Sequence, residues 1–195
     1  MPAASYIYLA SRSPRRRELL AQIGIEHRVI EADIDETPRV GEAPREYVVR
    51  LALEKADAGW RAVVAQGLEP APVLAADTTV ALDNDILAKP ADRADAAAML
   101  ARLSGRRHEV FTGIALRLGA RAASALSASE VEFAALDADE IRAYVESGEA
   151  DDKAGAYGIQ GRAGAFVAEL RGSYSGVMGL PLHETARLLK ALRDE

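Results

Sequence analysis

The segment Ser11-Arg12-Ser13-Pro14-Arg15-Arg16-Arg17 places two hydroxyls beside a run of three arginines. At the start of a helix, this is the chemistry of an anion site. Unpaired N–H groups and the helix dipole attract negative charge there, and planar guanidinium forks match phosphate oxygens. The alternative is an ordinary capped helix with basic residues in its first turn. Cations sit badly against the positive end of a helix dipole, however, so these need an anionic partner or an acidic neighbour.

Asp77 is the second chemical handle. It interrupts the apolar run Val73-Leu74-Ala75-Ala76, where a carboxylate is costly unless paired, metal-bound or at an open edge. Its candidate roles are general base or metal ligand in a cleft; a strand-end aspartate bonding a nearby turn is the alternative. Lys89-Pro90 follows shortly after, and a turn near Asp83-Asn84 would bring Lys89 back toward Asp77. Asp35-Glu36 is an acidic pair in a loop, ordinarily solvated. Near Asp77 it could instead help hold a divalent cation through oxygen ligands, with phosphates completing the shell.

Only four of the 24 basic residues are lysine. Lys55, Lys89 and Lys153 lie in motif-like contexts, where a compact, flexible ammonium serves better than a fork. Tyr47, Leu51 and Lys55 follow one helical line, which puts Lys55 at or beside an apolar face. From there it either snorkels to water or reaches a cleft. Between Gly148 and Gly179 stand eight of the fifteen glycines, permitting unusual backbone angles and close approach to a ligand. Lys153 and Gln160 are the handles in that stretch, and the Gln160 amide can donate and accept at once, as reading a base edge requires.

Other chemistries are excluded. There is no cysteine, hence no disulfide, thiolate ligand or thiol nucleophile. No P-loop, H-E-x-x-H, H-x-H or G-x-S-x-G pattern occurs. His27, His108 and His183 are scattered and read as structural, and Ser13 has no evident histidine base. A net charge of −6 argues against a surface that coats nucleic acid. No apolar run is long enough for a membrane span. Met1 to Ser5 carries neither a basic nor an apolar signal region, so a cytoplasmic protein is expected.

The elements that must position these residues are an early β–α alternation followed by hairpins, which implies an α/β protein with a mixed sheet. Strands are expected at about 6–10, 27–33 and 73–82, with a short return strand from Ile86, and a hairpin of about 108–118 and 121–135. Helices are expected at about 14–23, from Pro44 to about Gln66 with a break at Gly59, at about 92–103, from an Asp137 cap to about Ser147, and from Pro181 onward. The glycine-rich stretch reads as irregular. One domain is expected over 1–195, with two lobes around a cleft and the second lobe from about 108–170.

Together these segments resemble the Maf family of nucleoside triphosphate pyrophosphatases. The resemblance rests on Leu9-Ala10-Ser11-Arg12-Ser13-Pro14-Arg15-Arg16, Glu36, Glu54-Lys55, Ala76-Asp77-Thr78, Lys89-Pro90, Leu103-Ser104-Gly105, Thr112-Gly113 and Asp152-Lys153-Ala154-Gly155-Ala156-Tyr157-Gly158-Ile159-Gln160-Gly161. Gly172-Ser173-Tyr174 and Val177-Met178-Gly179-Leu180-Pro181 complete it. It implies an α/β fold related to the inosine triphosphate pyrophosphatases, with a mixed twisted sheet and a cleft between lobes. It also implies cleavage of the α–β anhydride, a divalent metal (Mg or Mn) and a homodimer.

Asp77 matches the family's proton acceptor, and Ser11, Arg16, Glu36, Lys55, Lys89 and Lys153 match its other cleft residues. Arg15, Thr78 and Gln160 match the set that marks the dTTP/UTP subfamily, modified pyrimidine nucleotides being further candidate substrates. Arg12 departs from the small residue common between the two serines; it either adds a phosphate contact or faces solvent. Competing readings are a non-catalytic nucleotide-binding regulator of cell division, a pyrophosphatase of the 7-methyl-GTP type, and an RNA-binding protein, which the acidic charge and few aromatics weaken.

Overall fold

The computed structural model describes residues 5–194. Strands β1 (Ile7–Leu9), β2 (His27–Val29), β3 (Val73–Leu82), β4 (Asp85–Leu87), β5 (Arg107–Leu118), β6 (Arg121–Phe133) and β7 (Val167–Arg171) form one sheet. The order is β2-β1-β3-β5-β6-β7, with β4 also paired to β3. β1 runs parallel to β2 and β3, and the other pairings are antiparallel. The expected mixed-sheet α/β architecture is observed. β5, β6 and β7, from the stretch expected to form a second lobe, pair within this same sheet.

Alternation along β3 sorts its side chains to two faces. Helix α2 (Pro44–Ala65) covers one face, packing Val48, Leu51, Ala52 and Ala56 around Val73, Ala75, Ala81 and Phe111. On the other face, α1 (Pro14–Gln22) and α6 (Leu182–Asp194) bring Leu19, Leu20 and Leu189 onto Leu74, Ala76 and Ile114. Further along the same face, α3 (Arg93–Leu103) and α4 (Ala138–Glu146) pack Leu100, Leu103 and Tyr144 against Val80, Val110 and Phe133. Among the described residues no helix is long and apolar enough to cross a membrane.

One detail of pairing makes the site. β5 pairs with β3 from Val73 to Ala81. On the opposite edge of β3, β1 meets only Val73 and Leu74, and β4 meets only Val80 to Leu82. Residues 75–79 therefore have no strand beside them on that edge. A cleft opens there, reachable from both faces of the sheet.

Three expectations need correction. α2 is not broken at Gly59: a Cβ there would stand 2.8 Å from Val73 Cγ1, so the glycine marks close helix–sheet packing rather than a stop. The second strand ends at Val29, because β1, its sheet partner, spans only three residues. The glycine-rich stretch is not irregular throughout: Val167–Arg171 pairs with β6, and Tyr174–Val177 forms a short helix, α5.

Candidate active site

Asp77 projects from β3 toward α2, and Lys55 meets it. Lys55 lies two turns beyond Tyr47 on α2, and both Tyr47 and Leu51 on its line are buried. Its Nζ lies 2.7 Å from Asp77 Oδ1 and 2.6 Å from Glu36 Oε1. One ammonium thus joins the two carboxylates that sequence reasoning could only propose to be neighbours. Asp77 is 8% exposed. Burial pushes its pKa up, and the nearby Lys55 and Arg16 offset only part of that rise. Burial also pushes the Glu36 pKa up, but Lys55, with Lys89 and Arg16, brings it below the ordinary value.

Asp35 turns aside: its carboxylate accepts the Thr37 N–H at 2.9 Å. Glu36 is held in its irregular loop from two directions. The Tyr47 hydroxyl donates to the Glu36 carbonyl at 2.9 Å. Arg50 makes a two-pronged contact with Glu42 at 2.5 and 2.7 Å and donates to the Thr37 carbonyl.

On the other face, the turn after β1 holds the arginines. Ser13, the residue before α1, does not cap it: its side chain makes no capping bond, and its N–H donates to Ser11 Oγ at 3.2 Å. Proline does occupy the first turn of α1, so the helix opens on the cleft with its N-terminus uncapped. Arg16 is fixed by Nε to the Gly179 carbonyl at 2.8 Å, Nη1 to Ser11 Oγ at 3.1 Å and Nη2 to Thr78 Oγ1 at 3.3 Å. A guanidinium has five N–H donors, so two remain. Burial lowers its pKa, with Asp77 opposing. Among the described residues Arg15 and Lys89, which also line the cleft, have no ion-pair partner within 4 Å. Arg12 faces solvent, where it pairs with Glu31 and Asp33 at 3.3 and 3.4 Å.

The far wall is the segment carrying Lys153 and Gln160. Lys153 pairs with Asp152 at 2.6 Å. Gln160 is exposed at the cleft rim. The segment is anchored by the Tyr157 hydroxyl on His108 Nε2 at 2.8 Å and by the Gly158 N–H donating to the Tyr144 hydroxyl at 3.2 Å. Burial lowers the His108 pKa to about 4, so it is neutral near pH 7, in keeping with a structural role.

Ten residues singled out from the sequence (Ser11, Arg15, Arg16, Glu36, Lys55, Asp77, Thr78, Lys89, Lys153 and Gln160) line one cleft of about 830 Å³, and Asp35 is not among its lining residues. That volume suits a nucleotide-sized ligand. Sequence reasoning missed Arg50, and named Tyr47 and Thr112 without the roles that their contacts across the fold give them. Lys55 already engages one oxygen of each carboxylate. Among the described residues no group of three or more acidic or histidine side chains gathers as a metal cage. Two hard carboxylates nevertheless fit Mg²⁺ or Mn²⁺, ions that commonly keep waters and take phosphate oxygens as further ligands.

Residues 6–192 match the family model described as Maf-like protein. A protein of Aromatoleum aromaticum named dTTP/UTP pyrophosphatase is 55% identical, the match covering 97% of each chain. One of Chromobacterium violaceum with the same name is 55% identical over 94% of this chain and 92% of its own. One of Nitrosomonas europaea, also so named, is 50% identical over 97% and 95%. Against the solved structure described as that of the Staphylococcus aureus Ham1 protein, the TM-score is 0.45 at 19% identity, covering 66% of this chain and 71% of that one.

Proposed function

The chain belongs to the Maf family, and from that membership we propose that it hydrolyses the α–β phosphoanhydride of dTTP and UTP to the nucleoside monophosphate and pyrophosphate. The observation that carries the reaction type is the pairing of a buried carboxylate, Asp77, with cations from separate elements around one cleft. The substrate pair is supported by the relatives' names at 50–55% identity.

In this reading Asp77 is the base. Burial lifts its pKa and makes it a better proton acceptor, while Lys55 keeps it ionised and fixes its direction. Asp77 takes a proton from water as that oxygen attacks the α-phosphorus. The new P–O bond forms to the water oxygen, the α–β bridging P–O bond breaks, and its electron pair leaves on pyrophosphate. The two spare N–H groups of Arg16, with Arg15 and Lys89, take phosphate oxygens and stabilise the charge that develops. Glu36 and Asp77 would hold the divalent cation, which when bound neutralises phosphate charge. Gln160 pairs with the imide edge of thymine or uracil at the cleft rim.

The test is a panel of nucleoside triphosphates, methylated bases included, with Mg²⁺ or Mn²⁺, scored for monophosphate and pyrophosphate. dTTP and UTP should lead the panel by about tenfold or more. Release of orthophosphate, or a preference for 7-methyl-GTP, would contradict the proposal.

A further inference from the structure

Thr112 lies on β5 directly opposite Thr78 and is 1% exposed. Its Oγ1 donates to the Gly176 carbonyl at 2.8 Å. A hydroxyl has one hydrogen, so Thr112 must accept at its 2.9 Å contact with Thr78 Oγ1. Thr78 therefore spends its own hydrogen on Thr112. Its oxygen faces Arg16 Nη2, which can only donate. The proton order is thus fixed from end to end: Arg16 to Thr78, Thr78 to Thr112, Thr112 to Gly176.

We propose that Thr112 is a positioning residue for Arg16: it locks the Thr78 hydroxyl as an acceptor and so aims the two spare Arg16 N–H groups at the substrate phosphates. The inference rests on the reading of Arg16 as a phosphate donor in a pyrophosphatase. The segment after β7 has two holds on this chain, since Gly176 takes the Thr112 hydrogen and Gly179 takes Arg16 Nε. Without the Thr112 hydroxyl, Thr78 can turn its hydrogen toward Arg16, and donor then faces donor.

The experiment measures kcat and KM for dTTP in wild type, Thr112→Val, Thr112→Ser, Arg16→Ala and the double variant Arg16→Ala/Thr112→Val. Thr112→Val should lower kcat/KM by about tenfold, the worth of one lost buried hydrogen bond. Serine should restore it to within about twofold, and in the Arg16→Ala background the valine should cost less than about twofold, because coupled residues are not additive. If Thr112→Val does not fold, Thr112→Ala takes its place under the same criteria. A Thr112→Val enzyme equal to wild type, or an equal loss in both backgrounds, overturns the inference alone. A wild-type protein that releases no pyrophosphate from dTTP overturns the parent reading and this inference with it.

Discussion

Gly113 stands directly opposite Asp77 in the β3–β5 ladder, and the backbone of α2 rests on it. A Cβ at Gly113 would lie 2.4 Å from the Val48 carbonyl oxygen and 2.8 Å from the Val49 nitrogen. The missing side chain lets α2 settle onto β5. About two turns further along the helix, Lys55 then comes within 2.7 Å of Asp77. A packing residue on one strand thus sets an ion pair on the next.

Gly113→Ala should push α2 away. The expected cost is about 1–3 kcal/mol of stability, as for other overpacked cores, together with a fall in kcat, since Lys55 moves with the helix. Chemical denaturation and dTTP turnover check both. A destabilised variant with wild-type kcat would show that the seat of α2 does not govern the Lys55–Asp77 contact.

Lys55→Met removes the main influence that lowers the Asp77 pKa, leaving burial to raise it further. The acid limb of kcat/KM against pH should therefore move to higher pH. Because the folded-state pKa of Asp77 lies above its ordinary value of 3.8, Asp77 contributes most stability below that value and loses it as pH rises through the folded pKa. In the variant this loss extends to higher pH. Near neutrality the unpaired carboxylate should cost about 3–5 kcal/mol. Profiles that superimpose would exclude Asp77 as the group titrating in catalysis.

Glu42 shows the opposite sign. Arg50 holds its pKa at about 2, down from 4.5. The stability this pair adds is present above pH 4.5 and is lost as pH falls toward 2. Glu42→Gln should lower stability by about 1–3 kcal/mol at pH 7, as a charge-assisted bond is worth. The gap to wild type should close on acidification. Melting curves at several pH values check this, and a gap independent of pH would show that the carboxylate charge is not what matters.

Much of this was legible in the chain. The β-rich run Val73–Leu82 and the helix opening at Pro44 are observed as expected, and Asp137 caps α4 with a full capping box. Such local signals need no tertiary partner. β7 was hidden because its five residues lie among glycines and pair only with β6. In the site, Lys55 followed from helical spacing, and Asp77 from its cost in an apolar strand. Glu36 gave no periodic signal, since its loop is shaped by Tyr47 and Arg50 from α2. Thr112 finds its acceptor 64 residues away, a contact that only the folded chain brings about.

Gln160→Glu replaces an amide that can both donate and accept with a carboxylate that only accepts. Pairing with a thymine or uracil edge should weaken, so dTTP and UTP should lose rank against CTP. Competition assays with the four pyrimidine and purine triphosphates measure the order. An unchanged ranking would remove Gln160 from base recognition.

The most direct measurement is hydrolysis of dTTP in ¹⁸O-labelled water, by wild type and by Asp77→Asn, with the label traced by mass spectrometry. One labelled oxygen should appear in dTMP and none in pyrophosphate, and Asp77→Asn should be slower by about a hundredfold or more, the contribution of a general base. Label in pyrophosphate or orthophosphate, or an Asp77→Asn rate equal to wild type, would contradict attack at the α-phosphorus by water that Asp77 deprotonates.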